Sequence, residues 1–370
     1  MMLVVRPSAC TKVALGACLV VTLSAAVTLA TEPAGANRAT QAEALLRRCR
    51  PIDLHSDALL QLRRRGPSQG CAKGAGLRTT TAGLLRSHYG GQVFALFADA
   101  ARESPTKALM AALRAYDRWT EGCPALEAGA AVDLAHDVTR GQVRAVLAIE
   151  GAEVLGTDPQ ALSRLAARGL FAIAPVWNRN NRWADGAAGP ARHRGLSAAG
   201  RDLVDEAGRL GILLDISHAA DTSATQILAR SPLPVVATHS NARAIHRHRR
   251  NLTDQQIRAV ARSGGVIGIN FHCTFIVPRG QRCDVTALLR HVRHLRKVGG
   301  PGVLALGSDF DGNIRPPKDL RHAGELVNLV KALLADGFEQ GQVCGLLGDN
   351  VRRLLRGRQG ASAVGDATSP

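Results

Sequence analysis

The chain has 370 residues, 46% hydrophobic and 21% charged, with a formal net charge of +17. That is globular composition, long enough for one large α/β domain or two smaller ones. The positive surplus invites a nucleic-acid reading, which the rest of the composition excludes. The basic residues are mostly scattered arginines, aromatics make up only 3%, and there is no zinc-finger, RNP-like or basic-heptad pattern. A solvated, arginine-rich surface is the preferred reading, with attraction to a membrane surface or anionic envelope polymer as the alternative.

In chain order, Arg6 and Lys12 precede an apolar stretch from Val13 to Ala30, followed by small residues up to Ala36. A charged start, an apolar middle and a small-residue exit read as an export signal spanning residues 1–36, cut after Ala30 or Ala36. The run is near spanning length, so an uncleaved membrane anchor is the competing reading. A faint lipoprotein-like box ends at Cys18, behind an apolar run too short to support it. Residues 31–42 read as a polar linker, residues 43–357 as a single domain, and residues 358–370 as a disordered tail. Short apolar, β-rich runs recur at Ile52–Leu54, Val93–Phe97, Val143–Ile149, Leu170–Val176, Ile212–Ile216, Pro234–Ala237, Val266–Asn270 and Val303–Leu306. Several lack polar alternation, as strands buried on both faces do. Helical patterns separate many of them: Thr106–Trp119, Pro159–Arg168, Ser197–Leu210 with Ser197 as N-cap, and Asp254–Ser263. Strand alternating with helix about eight times predicts a (β/α)8 barrel of the α/β class. A doubly wound sheet would want a glycine-rich loop after the first strand, where this chain has Leu54-His55-Ser56-Asp57.

Six cysteines lie beyond the export signal. An exported chain would keep disulfides, and no CxxC pair suggests a cysteine zinc site. Cys273 and Cys283, flanking one short loop, are the expected pair.

Catalytic groups of such a barrel sit where strands run into the loops that follow. At those points stand His55 and Asp57, then Glu150, His218, His239 and Asp309. A His-x-Asp pair at a strand end directs both side chains to one face, so His55 and Asp57 can grip one cation. His218 and His239 end neighbouring strands and can grip a second, with Glu150 between them as a bridge. Imidazole plus carboxylate suits Zn2+, although Mn2+ or Co2+ could occupy such ligands. Two such ions roughly 3.5–4 Å apart can clamp a hydroxide and polarise a carbonyl.

The chain also resembles the membrane (renal-type) dipeptidases, peptidase family M19, from about Pro51 to Leu355. The resemblance is carried by Asp53-Leu54-His55-Ser56-Asp57, Ala148-Ile149-Glu150-Gly151 and Trp183-Ala184-Asp185. It continues in Gly211–His218, Thr238-His239-Ser240, Arg249-Arg250-Asn251, Gly307–Gly312 and Asp349-Asn350-Val351. It implies a TIM-like barrel with a pair of zinc ions, one on His55 and Asp57, one on His218 and His239, bridged by Glu150. It further implies Asp309 as the proton-transfer group, Arg250 as the partner of the substrate carboxylate, a dipeptide substrate and a homodimer. The chemistry of those residue types agrees. Arg250 offers a planar fork for a carboxylate, and Asp309 can take a proton from the attacking hydroxide and pass it to the leaving amine. Two positions depart from the renal-type pattern. Trp177, followed by Asn178, stands where those members carry a substrate-contacting His, and His272 stands where they carry a Tyr. Trp177 can only wall a pocket and donate one hydrogen bond, so His272 or Asn178 is expected to serve the developing oxyanion. The alternatives are a related metal hydrolase of other small amides or lactones, and an inactive envelope-binding protein.

Overall fold

The computed structural model describes residues 34–65 and 76–365. The expected export signal therefore lies almost wholly outside the described residues. The strands are β1 (Ile52–Ser56), β2 (Gly91–Phe97), β3 (Leu126–Ala128), β4 (Val143–Glu150), β5 (Ala172–Ala174), β6 (Leu213–Asp215), β7 (Val235–Val236), β8 (Ile267–Ile269) and β9 (Leu304–Leu306). All pairings are parallel, in the order β7-β6-β5-β4-β2-β1-β9-β8. A bridge from Ala237, just past β7, to Ile267 of β8 closes the ring. The result is a nearly closed eight-stranded (β/α)8 barrel, with each apolar run of the sequence supplying one stave. β3 was not legible in the sequence. It pairs only with β4, and Leu-Glu-Ala carries no β-branched residue to mark it.

Alternate strand residues divide between two apolar clusters. Val146 and Ala148 of β4 join Ile52, Leu54, Val93, Leu213, Val236 and Ala305 in the barrel interior. Leu147 and Ile149 instead join the layer between barrel and helices. The interior is plugged from below by Leu134 and by Val351, Leu354 and Leu355 of the last helix. Two glycines set how tightly β8 and β9 approach β7. A Cβ on Gly268 or on Gly307 would overlap the Thr238 carbonyl, so only glycine allows that closure.

The helices fall close to their expected bounds, at Pro105–Gly122, Ala161–Ala167, Ala198–Arg209 and Asp254–Arg262. Ser197 does cap its helix, accepting from Gly200 N at 3.0 Å. The linker expected at 31–42 is different from residue 34 onward: a helix spans Ala34–Cys49. Its buried stripe of Ala42, Leu45, Leu46 and Cys49 has helical spacing, which the polar start of the segment hid. A helix over Asn350–Gly365 likewise runs into the stretch expected as a tail. The expected Cys273–Cys283 disulfide is present, a second joins Cys49 to Cys344, and Cys123 is also disulfide-bonded. No helix among the described residues is long and apolar enough to cross a membrane.

Candidate active site

The period-two alternation that builds the barrel interior continues upward into polar residues. Glu150 follows Val146 and Ala148 on β4. Asp215 follows Leu213, Thr238 follows Val236, and Asp309 follows Ala305 and Gly307. Each therefore faces the barrel axis at the carboxyl end of its strand. His55 reaches the mouth by another route. The β1–β2 register slips between Asp53 and Ser56, a bulge that re-aims the end of the strand.

These residues converge. Glu150 Oε1 lies 2.8 Å from His218 Nε2, 3.5 Å from His239 Nε2 and 3.7 Å from His55 Nε2. His218 Nε2 and His239 Nε2 are 3.0 Å apart, and His55 Nε2 is 3.5 Å from Asp57 Oδ2. Donor atoms of His55, Glu150 and His239 form one group able to hold a metal ion, and those of His55, Asp57 and Asp309 form another. All six side chains are buried. His55 Nε2 has no hydrogen-bond partner, an orphan that costs free energy unless a cation or ligand meets it.

Residues one step away fix the orientation of these rings. Thr238 Oγ1 donates to Asp215 Oδ2 at 2.5 Å and lies 2.8 Å from His239 Nδ1. The hydroxyl proton is thus spent on Asp215, so Nδ1–H of His239 donates to Thr238 and Nε2 offers its lone pair to the cavity. His218 Nδ1 meets Asn178 twice, 3.0 Å from its Oδ1 and 3.3 Å from its backbone N, which orients the ring with Nε2 toward the cavity. Asp215 also accepts from Ser217 N, Ser217 Oγ and Thr238 N, tying β6 to β7. Across the barrel Asp53 accepts from His55 N, Ser308 N and Ser308 Oγ, tying β1 to β9. Asn270 Nδ2 donates to Asp309 Oδ2 at 2.9 Å. Sequence reasoning passed over Asp53, Asp215, Thr238, Ser308 and Asn270 as positioning groups. The available signal was an acid inside an apolar strand, which must find partners when buried.

Charge in the cluster is unbalanced without cations. Burial pushes the Glu150 carboxyl well up, with Asp57 adding to it. Burial also raises Asp309 to about 7, His55 opposing and Asp57 adding. Burial works against the charged form of His55, but Glu150, Asp57 and Asp309 outweigh it and lift this imidazole to about 10. His218 and His239 are lowered well below the usual histidine range, by burial first and then by neighbouring positive charge. Three crowded carboxylates, with histidine nitrogens turned toward them, are a donor set that fits divalent metal.

A cavity of about 410 Å³ opens onto the cluster and is lined by Asp57, Glu150, His218, Asp309, Arg250, Trp177, Asn178 and His272, among others. Every expected site residue except His55 and His239 lines it, and those two lie beneath, in contact with Glu150. Arg250 comes from the loop after β7, which Asn251 pins through bonds to the His246 and Phe275 carbonyls. Its guanidinium is buried, and Nε, Nη1 and Nη2 all lack hydrogen-bond partners. Burial lowers it to about 10, against Asp309 and Glu150. Trp177 packs edge-on to Phe97 at 4.8 Å and walls the cavity. His272 Nδ1 accepts from Arg315 N at 3.2 Å, which leaves the ring proton on Nε2.

A parallel eight-stranded barrel carrying a buried histidine–carboxylate cluster at its carboxyl mouth defines a metal-dependent hydrolase. A family profile narrows that class: the membrane dipeptidase family, peptidase family M19, matches residues 39–367. The chain belongs to that family and is a peptidase. It is 38% identical, over 60% of its length and 86% of the relative, to an uncharacterised protein from the pqqA 5' region of Klebsiella pneumoniae. It is 31% identical to an uncharacterised dipeptidase of Schizosaccharomyces pombe, over 60% of this chain and 54% of that protein. A metallopeptidase from Rhodobacter sphaeroides, solved with a phosphinate mimic of the dipeptide L-Ala-D-Ala, is structurally similar with a TM-score of 0.74. The two are 28% identical, and the match covers 83% of this chain and 98% of that one.

Proposed function

We propose that this protein is a zinc dipeptidase that recognises both the free amine and the free carboxylate of its substrate. The observation that carries this reading is Arg250, a buried guanidinium with three unpartnered nitrogens in the same small cavity as the metal-donor cluster. A buried cation without a partner is costly, and a substrate carboxylate would remove that cost through paired, charge-assisted hydrogen bonds. A substrate pinned at one end by Arg250 and at the other by the acidic cluster must be short.

In this reading His55 and Asp57 hold one zinc, His218 and His239 the other, and Glu150 reaches both. Bound there, the zinc pair supplies Lewis acidity and a nucleophilic hydroxide at neutral pH. Asp309 manages the proton. Asn270 holds its Oδ2, while Oδ1 faces the Asp57 side, where a Cβ on Gly312 would lie 2.5 Å from Asp57 Oδ2 and 2.6 Å from Asp309 Oδ1. Asp309 takes a proton during attack and returns it to the leaving nitrogen. His272, whose Nδ1 accepts from Arg315 N, offers Nε2–H to the developing oxyanion.

The test is metal removal followed by a dipeptide panel. Chelation abolishes hydrolysis of Ala-Ala, and added zinc restores it with close to two ions bound per chain. Retained hydrolysis after complete metal removal, or blocked dipeptides being cleaved as fast as free ones, would sink the proposal.

A further inference from the structure

A second cavity of about 690 Å³ adjoins the first, and the two share Asp99, Arg102, Trp177, Asn178, Arg250 and Phe275 in their walls. Arg250 therefore stands at the passage between them. In a dipeptide whose carboxylate sits on Arg250, with its scissile bond at the metal cluster, the side chain nearest Arg250 is that of the C-terminal residue, and the second cavity is the space open to it.

The charges lining that annexe are mostly positive. Arg102 is answered by Asp99 at 3.2 Å. Arg179 and Arg249 also line it, and among the described residues neither side chain makes an ion pair. The remaining acid, Glu153, is turned toward the Asn181 side chain and the Trp177 backbone, and burial raises its pKa. His248 is held neutral, lowered to about 4 by burial and then by Arg250. With Arg250 committed to the α-carboxylate, Arg179 and Arg249 are cationic groups in excess. Their long, exposed side chains can close on a second anionic group, each adding a modest, salt-sensitive attraction.

We propose that Arg179 and Arg249 make this enzyme selective for dipeptides whose C-terminal residue carries an acidic side chain. The inference rests on the dipeptidase reading above and adds the substrate class. Glutamate and glutamine differ in charge but hardly in size, so the ratio of kcat/KM for Ala-Glu to that for Ala-Gln isolates the effect. It is measured on the zinc-loaded enzyme, with the C-terminal residue in both L and D forms, and Ala-Ala is run alongside. The expected ratio is about 5–10 at low ionic strength, falling toward one in high salt. In the Arg179→Gln/Arg249→Gln double variant, checked for native circular dichroism, it falls toward one at low salt as well. A wild-type ratio near one while Ala-Ala is cleaved overturns this inference and leaves the dipeptidase reading standing. A ratio unchanged in the folded double variant overturns the assignment to these two arginines. Failure to cleave any of the three dipeptides overturns the dipeptidase reading, and this inference with it.

Discussion

Asp309 and His272 share one cavity but have different chemistry, and single substitutions separate them. Asn at position 309 keeps the shape and can turn its amide oxygen to accept from Asn270 Nδ2, whose own oxygen is held by His272 N, but it cannot carry the transferred proton. Asp309→Asn is expected to lower kcat about a hundredfold or more while retaining bound zinc, as read by steady-state kinetics and metal analysis. His272→Ala is expected to lower kcat with little change in KM, because the oxyanion forms only after attack. Unchanged turnover of a good dipeptide would clear His272 of the role. At this scale the sequence was informative about residue type and silent about partners. His55, Asp57, Glu150, His218, His239 and Asp309 could all be picked out at strand ends, since each follows an apolar run. That Arg250 is buried with empty nitrogens, rather than one more charge beside Arg247 and Arg249, depends on how a loop folds over the barrel mouth.

Neighbouring strands work in pairs, each tied by one buried acid. Asp215 locks β6 to β7 and so sets His218 against His239. Asp53 locks β1 to β9 and so sets His55 against Asp309. Removing the acceptor charge at Asp215 weakens the chain from Asp215 through Thr238 to His239 without touching a ligand. Asp215→Asn is expected to bind zinc roughly 10–100-fold more weakly, measured by competition with a chromophoric chelator. At saturating zinc most activity returns. Unaltered zinc affinity would mean that the Thr238 bond does not set the tautomer of His239. The barrel strands were legible because short apolar, β-rich runs buried on both faces look alike wherever they occur. β3 was missed because Leu126–Ala128 is short and half-exposed. The helix over Ala34–Cys49 was missed because, from residue 38 onward, its buried apolar stripe begins only at Ala42.

For the molecule as a whole, one buried group outside the site makes stability depend on pH. His291, on the helix Val285–Gly299, accepts from Ala242 N at Nδ1 and donates from Nε2 to the Ile276 carbonyl. It thereby ties three segments together under the loop that carries Arg250. Burial lowers it to about 4, and nearby His246, Arg290 and His294 push the same way. In the unfolded chain the same imidazole titrates near ~6.5. Between those values the unfolded state binds a proton that the folded state refuses, so this contribution is complete above ~6.5 and is lost as pH falls toward 4. The denaturation midpoint is expected to drop between pH 7.5 and pH 5, and His291→Gln to drop less over the same interval. Equal pH slopes in the two proteins would remove His291 as the cause.

The amino-acid sequence by itself determined the barrel and the kinds of atoms at its mouth. A period-two strand pattern, repeated with helices between, has few ways to bury both faces, and polar residues at the end of each run can only emerge at the rim. Tertiary structure alone decided which of those atoms meet. Ring closure at Ala237 and Ile267, the slipped register of β1 and the two buried acids bring side chains hundreds of residues apart within hydrogen-bonding distance. Such contacts depend on strand stagger and loop path, which no local pattern of residues records.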